Sequence, residues 1–285
     1  MQILKKKLIA VLTCASALLL TACGPNKAEQ KQLSTVKKGN SSETPTFFFH
    51  GWGSSVNAEK QMVNYARRHG VTNSVATLTV HKNGKVSVSG TWKKNAQNPI
   101  AMVGYSDNKN GNYHRNGYYA YQAVKAMQKK YHFNKMNVVG HSMGNMDIMY
   151  MLLDYSQQKS FPSLQHQVAI AGHFNGIRGM DKTAYSKVDK NGKPSQMNRF
   201  YKELLKMRQI YPKTASVMNI YGDLLDGTHS DKDVTTYSAK TLKYLTAGRA
   251  KHYEEHLIKG KNAQHSKLHE NKQVDRLLVR FLWGK

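Results

Sequence analysis

The chain has 285 residues, 40% of them hydrophobic and 9% aromatic, which excludes a disordered chain and fits one medium-sized globular domain with some additional sequence. The 43 Lys and Arg against 17 Asp and Glu give a net charge of +26, spread along the sequence instead of gathered in one tail, and two cysteines exclude a disulfide framework. Charge of this size fits nucleic acid, a membrane surface or a wall polymer equally well, so the compartment has to decide among them.

The first 22 residues read as an address. Lys5, Lys6 and Lys7 precede an apolar run over 8–20, and Thr21-Ala22-Cys23 follows, in the order basic region, apolar region and small residues at a cleavage site. The run has 13 residues, short of the roughly 20 that a spanning helix needs, so the reading is a signal peptide and not a permanent membrane helix. Leu20-Thr21-Ala22-Cys23 resembles the lipobox of bacterial lipoproteins, which implies that Cys23 is lipidated and becomes the first mature residue, while Cys14 is lost. The expected location is therefore the outer face of the bacterial cytoplasmic membrane. The leader holds three basic residues and no acidic one, leaving the mature chain at +23. Export removes nucleic acid from the expected partners and keeps an anionic membrane surface or a wall polymer. Residues 23–45 hold almost nothing that forms a core and read as a flexible tether behind Cys23, with a reach on the order of 25 Å. The folded domain is expected over 46–285.

Within it, strands and helices alternate. Residues 46–49 form a short apolar strand ending at His50-Gly51-Trp52-Gly53, and 57–69 have amphipathic helical spacing. Segments 76–80 and 85–90 alternate around Asn83-Gly84 and predict a β-hairpin, read as an insertion. Further strands are predicted at 99–105, 136–139, 167–171, 215–221 and 252–258, and helices at 117–131, 143–155, 236–245 and 274–283. This alternation predicts an α/β fold with a mostly parallel sheet covered by helices on both faces. Residues 173–212 interrupt the rhythm with polar and glycine-rich stretches and a helix over 198–209, and are expected to form a short cap or lid.

Chemistry concentrates at Gly140-His141-Ser142-Met143-Gly144. This is G-x-S-x-G between a predicted strand and a predicted helix, the context in which a tight turn exposes a serine as nucleophile. The oxyanion donors are then expected to be the N–H of Met143, directly after the nucleophile, and the N–H of Trp52, in the loop after the first strand. His50 is read as a structural histidine that orders that loop. The acid and base should follow in the order Ser, Asp, His. Asp231, on the loop after strand 215–221, is the preferred acid, with Asp223 as the alternative. His265, between the last strand and the last helix, is the preferred base. The pairs His252/His256 and His265/His269 have helical spacing, but no cysteine or carboxylate set completes a zinc signature, so no metal and no cofactor are expected.

With these residues placed, the chain resembles the α/β-hydrolase superfamily, most closely exported or surface-attached bacterial hydrolases of lipase-like type, from about Phe47 to Trp283. The resemblance rests on Phe47-Phe48-Phe49-His50-Gly51-Trp52-Gly53, on Val139-Gly140-His141-Ser142-Met143-Gly144, on Ser230-Asp231 with Val234, and on His265-Ser266-Lys267-Leu268-His269-Glu270-Asn271 before the last helix. Two positions depart from the pattern: Lys232 stands where relatives commonly have glycine after the aspartate, and Asn145 where they carry glycine after the elbow. The resemblance implies cleavage of an ester or other acyl substrate through an acyl-enzyme. Acyl transfer or thioester cleavage by the same triad, and a non-catalytic binding protein on the same scaffold, are the alternative readings.

Overall fold

The computed structural model describes residues 44–93 and 95–285. Residues 1–22, read above as a signal peptide, together with Cys23 and nearly all of the expected tether, lie outside the described residues.

Eight strands form one sheet in the order β3-β2-β4-β1-β5-β6-β7-β8. They are β1 (Thr46–Phe49), β2 (Val75–Val80), β3 (Val86–Gly90), β4 (Ile100–Tyr105), β5 (Lys135–His141), β6 (Ser163–Ile170), β7 (Ser216–Asp223) and β8 (His252–Lys259). Every neighbouring pair is parallel except β2–β3. The central strand explains the two-sided cover. In β1 Phe47 and Phe49 enter one apolar core and Phe48 the other, because side chains alternate across a sheet and both faces are packed. On the Phe47 face lie α2 (Tyr113–Tyr131) and α3 (Met143–Tyr155), with α4 (Arg199–Leu204), α5 (Met207–Ile210) and α7 (Leu242–Thr246). On the Phe48 face lie α1 (Lys60–Arg68) and α8 (Lys272–Trp283).

Three features differ from the sequence expectation. The hairpin is no insertion: β2 pairs in parallel with β4 from Val75 to Val80, so it belongs to the main sheet, and β3 closes the edge antiparallel to it. α2 begins at Tyr113, four residues before the apolar spacing does, because the Asn112 side chain accepts a hydrogen bond from the Arg115 N–H at 3.0 Å and caps the first turn. The predicted helix 236–245 is two, α6 (Thr236–Lys240) and α7. Thr241 marks the break: its hydroxyl donates back to the Ser238 carbonyl at 2.6 Å, and its own carbonyl accepts from the Tyr201 hydroxyl at 2.9 Å.

In the 173–212 segment, Tyr201, Leu204, Met207 and Tyr211 are fully buried in the main core, and the Tyr211 hydroxyl donates to Gln167 of β6 at 2.7 Å. The polar turn that looked like an excursion is local, its Asp189 carboxylate accepting from the N–H groups of Asn191 and Lys193. Only the start of the segment, at His173, Ile177 and Met180, borders the cavity described next.

Candidate active site

Ser142 stands between the end of β5 and the start of α3 with φ 53° and ψ −120°, a backbone conformation that L-residues seldom adopt. Its neighbours make that turn feasible. A Cβ on Gly144 would lie 2.1 Å from the Phe49 carbonyl oxygen, so only glycine lets α3 start against the end of β1. A Cβ on Gly51 would lie 3.0 Å from the Ser142 Cβ, so the loop after β1 runs directly beside the serine. Ser142 N–H donates to the Ile170 carbonyl at 3.0 Å, and the Asn145 side-chain amide donates to the carbonyls of Ile170 at 2.9 Å and Ser142 at 3.2 Å. Asn145, the departure from the usual glycine, thus ties the turn to the end of β6.

The residues expected to act together meet. Ser142 Oγ is 2.8 Å from His265 Nε2, and His265 Nδ1 is 2.9 Å from Asp231 Oδ2. Donation from Nδ1–H to the carboxylate leaves Nε2 as the acceptor for the serine hydroxyl, a tautomer assigned from the hydrogen-bond network. Asp231 is 1% exposed, and its other oxygen accepts from the N–H groups of Val234 at 2.7 Å and Asp233 at 3.0 Å. Its carbonyl accepts from the His265 N–H at 2.8 Å, so the two loops are joined through backbone as well as side chain. Lys232, at the second departure, takes φ 94°, the region that favours glycine. Asp223 lies elsewhere: it accepts from the Leu225 N–H and sits 3.4 Å from His229 Nδ1.

Electrostatically, His265 is set apart from the histidines around it. Burial acts on it most strongly and would lower its pKa, but the hydrogen bond and charge of Asp231, with help from Asp233, outweigh burial and raise it above the ordinary 6.5. Burial holds His141 well below the ordinary value, reinforced by the charges of His265, His269 and His50. His173 is pushed down to about 4, chiefly by burial, and burial also lowers His269 and His50. One basic imidazole therefore sits among four that favour the neutral form. His50 donates from Nδ1–H to the Gly51 carbonyl at 2.8 Å and packs edge-on against Tyr105, as expected of a residue that orders the loop. His252 and His256 both contact Glu254 on β8, and among the described residues no three His, Cys, Asp or Glu converge as a metal site.

A cavity of about 460 Å³ opens over Ser142. Trp52, Tyr113, Met143, Ile177, Met180 and Val234 give it apolar walls. Among the described residues neither the Trp52 N–H nor the Met143 N–H has a hydrogen-bond partner, and both residues line the cavity. Sequence reasoning missed Tyr113, because the helix that carries it starts before its apolar periodicity, and His173, which nothing distinguishes among 13 histidines. Asn145 was visible only as a departure from a pattern.

Several solved structures share this fold. A gene product of Listeria innocua is 25% identical and superposes with a TM-score of 0.74 over 84% of this chain and 94% of its own. A protein of Lactobacillus plantarum WCFS1, provisionally named a cell surface hydrolase, is 24% identical with a TM-score of 0.68 over 86% and 94% of the two chains. The carboxylesterase CesB of Bacillus subtilis, 12% identical with a TM-score of 0.50 over 87% and 86%, shares the fold alone. No curated protein matches the sequence. The sequence pattern of one family matches residues 33–285, and the chain accordingly belongs to the alpha/beta hydrolases of unknown function known as DUF915.

Proposed function

We propose that the chain is a serine hydrolase that cleaves carboxylic esters through an acyl-enzyme, with Ser142 as nucleophile, His265 as general base and acid, and Asp231 as the group that orients the imidazole. The observation that carries this reading is the unbroken hydrogen-bonded line from Ser142 Oγ through His265 to Asp231. Ser142 Oγ attacks the acyl carbonyl as Nε2 takes its proton, and Asp231 stabilises the imidazolium. The N–H groups of Trp52 and Met143 receive the developing oxyanion, and the positive end of α3 adds to that field. His265 then returns the proton to the departing alkoxide, and water enters by the same route to release the acid. Apolar walls around the serine favour an acyl chain of moderate length over a strongly polar acyl group.

The proposal includes export and lipid attachment at Cys23, supported by the order of charge, apolar run and small residues in 1–23, and in keeping with the name given to the L. plantarum structure. A fluorophosphonate probe tests the catalytic reading. The whole chain is expected to be labelled and the Ser142→Ala variant to remain unlabelled with an unchanged melting temperature. Equal labelling of the two proteins would remove Ser142 from the mechanism.

A further inference from the structure

Away from the cavity, a second concave feature lies at the sheet edge. We propose that the groove between the β2–β3 turn and α2 binds a linear phosphodiester polyanion of the cell envelope. The groove encloses about 380 Å³, and its walls include Lys85 and Asn83 on the turn and Tyr118, Gln122, Lys125 and Lys129 on the helix. No acidic residue lines it.

The helical wall is a single stripe. Arg115, Tyr118, Gln122, Lys125 and Lys129 recur at alternating steps of three and four residues, which stacks them along one face of α2. Lys125 and Lys129 stand about 6 Å apart along the axis, and Arg115 continues the row about 15 Å further toward the start of the helix. Arg115 is held there, its guanidinium donating to the Lys82 carbonyl at 2.7 Å and to the Tyr119 hydroxyl at 3.1 Å. The opposite wall brings Lys85 in from the turn, so cations face the groove from both sides. Gln122 and Asn83 add amide donors between them.

None of these cations is neutralised by a carboxylate of the chain, although Arg115 and Lys125 rest on tyrosine rings. Among the described residues every ion pair involves a histidine, and no Lys or Arg lies within 4.0 Å of a carboxylate. In a chain whose histidines find carboxylates six times, a cationic groove lined by none is a site that awaits an anion from outside. Its shape selects a strand over a plane. A polymer with a charge at each repeat can lie between α2 and the edge strand and meet cations in succession, whereas a flat bilayer would touch only the rim. β2 runs parallel to β4, β1 and β5, so the β2–β3 turn lies at the same end of the sheet as Ser142, and Gly111 and Tyr113 at the start of α2 border the cavity over Ser142.

Binding of soluble poly(glycerol phosphate) to the whole chain, measured against salt concentration, tests this. Lys125→Gln with Lys129→Gln is expected to weaken binding about tenfold or more at 0.15 M salt and to lower the slope of log K against log salt by about 1.5. Lys202→Gln with Lys206→Gln removes the same charge from exposed positions on the far side of α3 and is expected to cost less than about twofold. All four lysines are exposed, so neither pair should change the melting temperature. Equal losses from the two pairs would assign binding to net charge and overturn the groove. Absence of polymer binding would also overturn it, as would binding to phosphatidylglycerol vesicles that the groove pair, and not the control pair, abolishes.

Discussion

At the scale of single residues, the pH behaviour of the site rests on the balance at His265. Its pKa is raised because the hydrogen bond and charge of Asp231 overcome burial, so the imidazole stays protonated above the pH at which a free histidine loses its charge. In the proposed mechanism the serine gives its proton only to neutral Nε2, and ester turnover should therefore fall on the acid side with a midpoint above 6.5. Asp231→Asn removes the charge and leaves the burial. In that variant the His265 resonance, followed by NMR, should titrate below 6.5, and turnover should drop by about 10⁴-fold, since the favoured tautomer is lost along with the charge. A midpoint that stays above 6.5 in Asp231→Asn would mean that another group sustains the basicity. The same pairing contributes to stability below the unfolded value and loses that contribution as pH rises through the raised pKa.

At the scale of elements, legibility followed how local the determining signal was. β1 and α3 were readable to the residue, since an apolar tetrapeptide before a glycine loop and a helix directly after G-x-S-x-G carry their own boundaries. That Ser142, Asp231 and His265 meet follows from the chain order and loop positions that restrict them, although only the folded chain separates Asp231 from Asp223. What escaped depends on distant partners. Thr241 breaks a helix because Tyr201, forty residues earlier, takes its carbonyl hydrogen bond, and β2 is a sheet strand because it pairs with β4. A buried acidic cluster behind the loop after β1 escaped for the same reason. Glu59, just before α1, and Asp147, on α3, are both 2% exposed, and burial drives both carboxyls well above their ordinary values, with Tyr105 lying beside them and Asn116 beside Asp147. The native state thus binds protons there more tightly than the unfolded chain does. Stability from these groups is full below about pH 4 and declines as pH rises toward their raised pKa values. Glu59→Gln with Asp147→Asn should match the parent in urea midpoint near pH 4 and exceed it increasingly as pH rises above the ordinary carboxyl range. A constant difference between the two proteins from pH 4 to 8 would show that the carboxyls do not titrate in that range.

At the scale of the molecule, the charge that first admitted several partners becomes an argument about attachment. A chain with 43 cationic side chains in which no described Lys or Arg pairs with a carboxylate leaves that charge unneutralised, with carbonyl and ring contacts such as those of Arg208 and Arg249, and bears its self-repulsion. Such a surface is useful where anions are fixed in place, as at an anionic envelope. A lipid on Cys23 and a basic domain would act as two signals of different physical kind, one hydrophobic and insensitive to salt, the other electrostatic and screened within about 10 Å at 0.1 M salt. The two separate experimentally. With Cys23 intact the protein should remain with cells through a 1 M salt wash. Cys23→Ser should stay with cells at low ionic strength and be released by salt, because only the electrostatic signal remains. If Cys23→Ser is free in the medium even at low salt, the basic surface holds nothing and the lipid alone retains the enzyme. If the parent itself washes off in salt, Cys23 carries no lipid and charge alone keeps this hydrolase at the surface.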